Sequence, residues 1–489
     1  MLYSWLSFLN SCYLWWHVPG ESRVSILDST LREGEQTPGV VFSEEWRVRI
    51  AKALSDIGVG MIEVGDPSVA PDIKSAIKKI VKLKKDGEIR SHIVVHSRAV
   101  KQDLENAASL EPDRVAVFYG VSDLHLKHKH RKTREEALSI IAEMVSFAKS
   151  HGVAVRFTAE DASRADLGYL IEVVKTAYEA GADRVSIADT VGVFTPDRAR
   201  EVFAKVKAAV PGVRLDIHAH NDFGMAVANS LAAVEGGADV VHTTVNGLGE
   251  RAGITPLQVF AAAYYYHKGV KLVELKKLPE ITAMVEAASG ITLMPTYPIV
   301  GENAFTHKAG VHQAGVLANP ETYEPIPPEV VGRARDFSLD KYSGRKAIQH
   351  RLEKLGVSLQ PEALDKVVEE VKRMNAPRLR DEDLLEIVEK VSGVRYRAIV
   401  NRHIEAYIWL KVANNVYTTS VARRVAALKN VVSVSEITGE YDIVVKLAAE
   451  NTEELNQAIE NIRQIKGVAS TFTSIVLKEL PTISMQTRA

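Results

Sequence analysis

One unit recurs eight times between Val24 and about Lys268: a short strand rich in β-branched residues, followed by a helix of amphipathic pattern. This is the βαβ signature of a parallel sheet, in which each helix carries the chain back so that the next strand can run in the same direction. The pattern predicts strands at Val24 to Leu31, Met61 to Gly65, His92 to His96, Arg114 to Tyr119, Ala154 to Ala159, Arg184 to Ala188, Arg214 to His218 and Val240 to Thr244. Helices are expected at Ser43 to Ile57, Pro71 to Lys85, Ala99 to Ser109, Thr133 to Ser150, Ala165 to Ala180, Pro196 to Ala209, Met225 to Gly236 and Pro256 to His267. Ser43 ahead of two glutamates, and Thr195 ahead of Pro196, put a cap and a proline where helices begin. Eight such units close into a (β/α)8 TIM barrel, whose active site lies at the C-terminal ends of the strands.

The rest of the chain leaves that pattern. Ile291 to about Val391 reads as a mixed α/β helical subdomain packed beside or over the barrel mouth, with helices at Arg345 to Leu355, Pro361 to Met374 and Asp381 to Val391. Tyr396 to about Leu480 has the order βαββαβ, a ferredoxin-like sandwich. The expected divisions are an N-terminal extension, 1–23, a barrel, 24–290, the mixed subdomain, 291–395, and the terminal domain, 396–489. Met1 to Pro19 is aromatic and apolar, but it has no basic n-region and is broken by Asn10, Ser11 and His17. It reads as a dispensable extension or a misplaced start, with a packing or oligomer contact as the alternative, rather than as a signal peptide or a membrane span. With 61 basic and 62 acidic residues, no one-signed field is available to hold nucleic acid. The single cysteine, Cys12, excludes an intrachain disulfide or a thiolate metal cluster and fits the cytoplasm.

The polar residues of the barrel cluster at the strand ends. In Leu215-Asp-Ile-His-Ala-His-Asn-Asp222 strand alternation puts His218 and His220 on one face, about 7 Å apart along the chain, where they can share a metal ion. A lone H-x-H is more often a pair of core histidines. Glu33, in Asp28-Ser-Thr-Leu-Arg-Glu-Gly-Glu-Gln36, can supply the missing carboxylate. Two nitrogens and one carboxylate leave positions of an octahedral divalent ion open, unlike a closed cysteine-rich zinc site. A 2-oxo acid could chelate there through its ketone and carboxylate oxygens, with Arg32 beside it to receive developing negative charge. Also on this rim are Glu63 and Asp66, His92 and His96, Arg156, Thr158, Glu160 and Asp161, Asp189 and Thr190, and Asn246 with Gly247-Leu-Gly-Glu-Arg251.

Four motifs in order, Asp28 to Gln36, His218-Ala-His-Asn-Asp222, Asn246-Gly-Leu-Gly-Glu-Arg-Ala-Gly253 and His307-Lys-Ala-Gly-Val-His312, resemble the acyl-CoA-condensing branch of the DRE-TIM metallolyases. That resemblance covers roughly Val24 to Val391. It implies condensation of acetyl-CoA with a 2-oxo acid over Mg2+ or Mn2+, with Zn2+ as an alternative. Ser29-Thr30 with Glu33, and Arg156 in place of a common glutamate, look most like the homocitrate synthases, which use 2-oxoglutarate in lysine biosynthesis. The isopropylmalate and citramalate synthases are the alternatives. A distal carboxylate wants an arginine partner, whereas an isopropyl group wants an apolar wall. A competing reading of Arg156 is a rim salt bridge to Glu160 or Asp161.

By this resemblance Glu33, His218 and His220 are metal ligands, with Asn246 a fourth candidate. Arg32 is the catalytic arginine, and Gln36, His92, Arg156, Thr158 and Thr190 join it in holding the 2-oxo acid. His96 competes with His92 for that role. His312, with Tyr323, matches the pair that takes a proton from the acetyl methyl group, and 291–395 becomes the CoA-side segment. His125, His128 and His130 sit among basic residues that would repel a cation, so a solvated loop or a phosphate contact is expected there.

The terminal part resembles the RAM, or Lrp/AsnC effector, domain through Ile437-Thr-Gly-Glu-Tyr-Asp-Ile-Val-Val445. Such domains pair through their sheets and bind an amino acid, implying a homodimer or larger homo-oligomer with lysine as effector. A transcription regulator would carry a helix-turn-helix where the barrel stands. Retro-aldol cleavage, as in hydroxymethylglutaryl-CoA lyase, uses a loop cysteine, and Cys12 precedes the barrel.

Overall fold

A computed structural model describes residues 24–374, 379–393, 404–414, 416–449 and 451–476. The expected extension over Met1 to Pro19 lies outside the described residues, as does Tyr396. Eight parallel strands, β1 (Ser25–Asp28), β2 (Met61–Glu63), β3 (His92–Arg98), β4 (Arg114–Gly120), β5 (Ala154–Glu160), β6 (Arg184–Asp189), β7 (Leu215–Ala219) and β8 (Val240–Thr243), close in chain order into a barrel. β8 pairs back onto β1 with Ser25 opposite Val240. Strands covered on both faces must bury every side chain, and β6 does so along its whole length.

The helices begin as expected from their caps. Ser43 accepts from Trp46 N ahead of Glu44–Asp56, Thr195 caps Pro196–Ala209, and Thr133 and Glu136 form a reciprocal capping box at Arg134–Ser150. One strand ends early for a local reason. β1 was expected to reach Leu31 but stops at Asp28, because the Asp28 carboxylate takes the Thr30 N–H at 2.9 Å and turns the chain.

Inside the barrel Leu27, Met61, Val94, Ala116 and Val240 make an apolar floor. Two residues further along the same inward faces of β2 and β3 stand Glu63 and His96. Arg156 lies level with Ala116 and Arg184, so its long side chain rises from the floor into the polar layer above.

The chain divides into two compact units, one reaching to His307 and including Asn319–Asp336, the other comprising Lys308–Ala318 and the chain from Phe337. In the first, Val300, Phe305, Ile326 and Val331 join the barrel's core. In the second, helices Arg345–Lys354, Pro361–Arg373 and Asp381–Ser392 share a core that includes Ile348, Val367, Val371 and Leu384. The terminal sheet is antiparallel, in the order Val431–Glu436, Ile443–Ala449, Ile404–Val412, Val468–Ile475, which is the ferredoxin-like arrangement. Alternate residues Ala406, Ile408 and Leu410 pack on the helices, while Tyr407 and Phe472 are exposed. Among the described residues no helix is long and apolar enough to cross a membrane.

Candidate active site

The turn after β1 brings the carboxylate to the mouth. Ser29 O accepts the N–H groups of Arg32, Glu33 and Gly34, so the chain folds tightly over the end of the barrel. Buried Glu33 then lies with Oε2 3.8 Å from His218 Nε2 and Oε1 3.9 Å from His220 Nε2. These three are the one grouping among the described residues whose donor atoms fall within 4.8 Å of one another in a metal-ligand set. The donor set of one carboxylate and two imidazoles suits a divalent cation, and neither histidine Nε2 is taken by a hydrogen bond within the described residues. Each ring must be neutral to ligate, and burial depresses both, helped at His218 by the neighbouring imidazoles and Arg32 and opposed at His220 by Glu33, so that His218 is lowered the further.

Beneath this trio lies a charged layer centred on Glu63. Its buried carboxylate accepts from Ser29 Oγ (2.6 Å), Arg32 Nε (2.7 Å) and Arg156 Nη2 (2.5 Å), with His96 Nδ1 at 3.3 Å. Burial would raise its pKa, but Arg32, Arg156 and His96 outweigh that and hold it well below the usual carboxylate range. Arg32 also reaches Glu33 Oε2 at 2.5 Å. Burial opposes its charge, but the two glutamates keep it a fixed cation.

A second chain of contacts runs under His218. Its Nδ1 is 3.2 Å from His242 Nδ1, His242 Nε2 is 3.3 Å from Asp216 Oδ2, and Asp216 Oδ1 accepts from Arg184 Nε at 2.6 Å. Register explains the alignment, since Asp216 pairs with Val240 and so His218 stands level with His242. Neither His242 nor Asp216 stands out from the sequence alone, although Asp216 is two residues before His218 on the same face of β7.

A pH dependence follows from the buried histidines. Burial, then Arg156, lowers His242 to about 4. A histidine depressed in the fold binds its proton more readily when unfolded, so its stabilisation is complete above about 6.5 and is lost as pH falls towards 4. His242 alone accounts for on the order of 3 kcal/mol. Asp28, raised by burial to about 6, works in the opposite direction over roughly pH 6 to 4. His218, His220 and His96 shift in the same sense as His242, four groups against the two, Asp28 and Asp189, that burial raises. Urea denaturation of metal-free protein should give a midpoint that falls steadily from pH 7 to pH 4.5, whereas a flat profile would contradict the neutral, buried assignment.

A cavity of about 270 Å³ opens above these groups, lined in part by Arg32, Gln36, His96, Arg156, Thr158 and Thr190. Phe118 and Ala188 are its apolar wall. Arg156 pairs with Glu63 and not with the rim acids, since Glu160 takes Lys129 and Asp161 takes Arg164. Arg156 Nε and Thr158 Oγ1, both buried and two residues apart on one face of β5, have no hydrogen-bond partner among the described residues.

Two expected site residues are placed elsewhere. His92 opens β3 opposite Met61, at the floor end of the barrel, with its side chain 65% exposed and 3.6 Å from Asp113. His96, four residues on, takes the place at the mouth. Asn246 is not turned toward the metal-ligand set. Its Oδ1 accepts from Gln258 Nε2 at 2.6 Å and its Nδ2 donates to Thr282 O at 3.2 Å. It adopts φ 65°, a left-handed conformation that asparagine tolerates. Asn246→Ala should therefore destabilise the fold by about 1–3 kcal/mol in urea denaturation, with Mn2+ affinity unchanged in calorimetry; a large loss of affinity would restore it as a ligand.

Tyr323 is exposed in the first unit and His312 exposed on Gly310–Ala318 in the second. His307 Nε2 is 3.0 Å from Glu324, which Arg335 grips through two bonds, a structural setting. His130 accepts from Gly120 N and stacks on Tyr119, while His125 lies 3.7 Å from Glu160 and Asp161. The histidine-rich loop thus forms no ligand set among the described residues.

Comparisons with known proteins agree with this architecture. Residues 23–285 match the HMGL-like family model, residues 299–378 the homocitrate synthase post-HMGL domain-like model, and residues 405–482 the Lrp/AsnC ligand binding domain model. The chain is 60% identical over 459 residues to a homocitrate synthase of Sulfurisphaera tokodaii, covering 94% of this chain and 100% of that protein. Against a homocitrate synthase of Sulfolobus acidocaldarius it is 59% identical, covering 94% of this chain and 98% of the relative. Among solved structures, hydroxymethylglutaryl-CoA lyase from Pseudomonas aeruginosa aligns with a TM-score of 0.50 at 22% identity, over 55% of this chain and 94% of that one, a likeness of fold.

Proposed function

We propose that this chain, which belongs to the homocitrate synthase family, joins the acetyl group of acetyl-CoA to the ketone of 2-oxoglutarate and releases homocitrate and CoA. Glu33, His218 and His220 would hold a divalent cation, Mg2+ or Mn2+, with Zn2+ as an alternative. Bound there, it would supply Lewis acidity to the ketone. Arg32, a cation fixed by Glu33 and Glu63, receives the charge that grows on the ketone oxygen as the acetyl carbon attacks. His312, with Tyr323, takes the methyl proton, a role that rests on the resemblance of their motif. Water then cleaves the thioester and makes the condensation irreversible in practice.

The observation that carries the substrate assignment is that Arg156 and Thr158, whose buried Nε and Oγ1 have no hydrogen-bond partner among the described residues, both line the cavity that the ligand trio lines. Buried donors are rarely left unmet, and a distal carboxylate would satisfy both. Charge favours the same ligand. With the histidines neutral, Arg32 and Arg156 balance Glu33 and Glu63, so a divalent cation leaves two positive charges and 2-oxoglutarate brings two negative ones. A monoanion such as 2-oxoisovalerate would leave one charge buried and uncompensated, and would find little apolar wall beyond Phe118 and Ala188.

We assign the C-terminal domain to feedback control, with lysine as the amino acid bound, and its exposed Tyr407 and Phe472 face to pairing between subunits of a homodimer. The cytoplasm is the compartment that fits these substrates and the single cysteine. Thiol release from acetyl-CoA, measured in parallel with 2-oxoglutarate, 2-oxoisovalerate, pyruvate and oxaloacetate in Mg2+ and in Mn2+, tests the reading. A clear preference for 2-oxoisovalerate would overturn the substrate assignment. Absence of lysine binding by calorimetry, with rates unaltered by lysine, would dispose of the effector.

A further inference from the structure

The contacts beneath His218 fix more than its position. A histidine that ligates through Nε2 must carry its proton on Nδ1, and that proton needs an acceptor. The nearest acceptor in the structure is a second imidazole rather than a carboxylate or a carbonyl. His242 Nδ1 is 3.2 Å from His218 Nδ1, and it can accept only when its own proton is on Nε2. That proton has a place to go, because Asp216 Oδ2 lies 3.3 Å from His242 Nε2. Asp216 is anchored in turn by Arg184 at 2.6 Å, a pairing that keeps it an acceptor.

We propose that Asp216 and His242 are positioning residues for the cation, a two-step relay that selects the His218 tautomer with a lone pair on Nε2. It rests on the reading that Glu33, His218 and His220 hold the metal. Reversing the relay disables the site. If His242 carried its proton on Nδ1, His218 would have to accept it there and keep its own on Nε2, pointing an N–H at the cation. The group that could drive that reversal is Arg156, whose Nη1 lies 3.4 Å from His242 Nε2. Arg156 is committed to Glu63 through Nη2, and a lone pair turned against the Asp216 carboxylate would be repelled, so Asp216 sets the direction.

The decisive variant is Asp216→Asn in the full chain. Its amide can keep an oxygen on Arg184 while offering N–H to His242 Nε2, which preserves shape and reverses the relay. Calorimetric titration of metal-stripped protein with Mn2+, well below the unfolding midpoint, should show affinity weakened roughly 10- to 100-fold, while the midpoint itself falls because Arg184 loses its buried counter-charge. His242→Phe should lose a similar amount, and the double variant should lose no more than either single one, since both changes cut one chain. D216N affinity within about twofold of wild type, or losses that add in the double variant, would overturn the relay. A wild-type chain that bound no Mn2+ would instead sink the metal-site reading, and this inference with it. Nitrogen-15 NMR of histidine-labelled, metal-free wild type gives a test free of substitutions: His218 should be protonated at Nδ1 and bare at Nε2, and the opposite tautomer would refute the proposal.

Discussion

Glu33→Gln should abolish specific Mn2+ binding and lower kcat/KM by about 1000-fold or more, while leaving a folded protein. The glutamine is nearly isosteric, so packing is preserved, but its charge is gone and one ligating oxygen becomes an N–H2 group. Both oxygens of Glu33 are in use: Oε1 accepts from Glu250 N at 3.1 Å and faces His220, while Oε2 accepts from Arg32 and faces His218. Either orientation of the amide sets a donor against another donor or against the cation. The fold should tolerate the change because Arg32 keeps Glu63 at 2.7 Å, so no buried guanidinium is stranded. A separate readout is thermal. Metal that binds only the folded chain stabilises it by about 2.7 kcal/mol at a hundred times its dissociation constant, so Mn2+ should raise the wild-type Tm and leave that of E33Q where it was. An E33Q chain that bound and responded to Mn2+ like wild type would remove Glu33 from the metal site.

The barrel and the meeting of Glu33, His218 and His220 at its mouth could be read from sequence because both depend on short-range periodicity. Alternation along a strand puts His218 and His220 on one face whatever the rest of the chain does, and a carboxylate just past the first strand falls at the same rim. What could not be read depends on position along a strand or on backbone conformation. His92 and His96 share a face, and although the strand direction already favours His96 for the mouth, it is the register of Met61 against His92 that fixes His92 at the floor. Asn246 has the residue type of a ligand, but its φ of 65° turns the amide to Gln258 and Thr282. His242 carries no sequence signal of its own, because its partner Asp216 lies on a neighbouring strand that the sequence places 26 residues away. Glu63 was visible as a rim acid, yet its grip on Arg32 and Arg156 joins the end of β2 to the turn after β1 and to the floor level of β5.

That grip shapes the last expectation. Arg156→Gln should cut kcat/KM for 2-oxoglutarate by about 1000- to 100,000-fold, the range for a site whose polar contact to substrate is lost, while 2-oxoisovalerate and pyruvate change far less. Two effects are superimposed. Removing one partner of a buried ion pair costs about 3–5 kcal/mol when the other is stranded. Glu63 is not stranded, because Arg32, Ser29 and His96 remain within hydrogen-bond reach, so the stability cost should fall below that range. Lost stability would lower the rate with every 2-oxo acid by the same factor, since it acts on the amount of folded enzyme. Loss of the distal carboxylate's partner acts only on the dicarboxylate. The ratio of kcat/KM for 2-oxoglutarate to that for pyruvate therefore separates them: it should collapse in R156Q, and a ratio equal to wild type would mean that Arg156 merely neutralises Glu63 and that another group reads the second carboxylate.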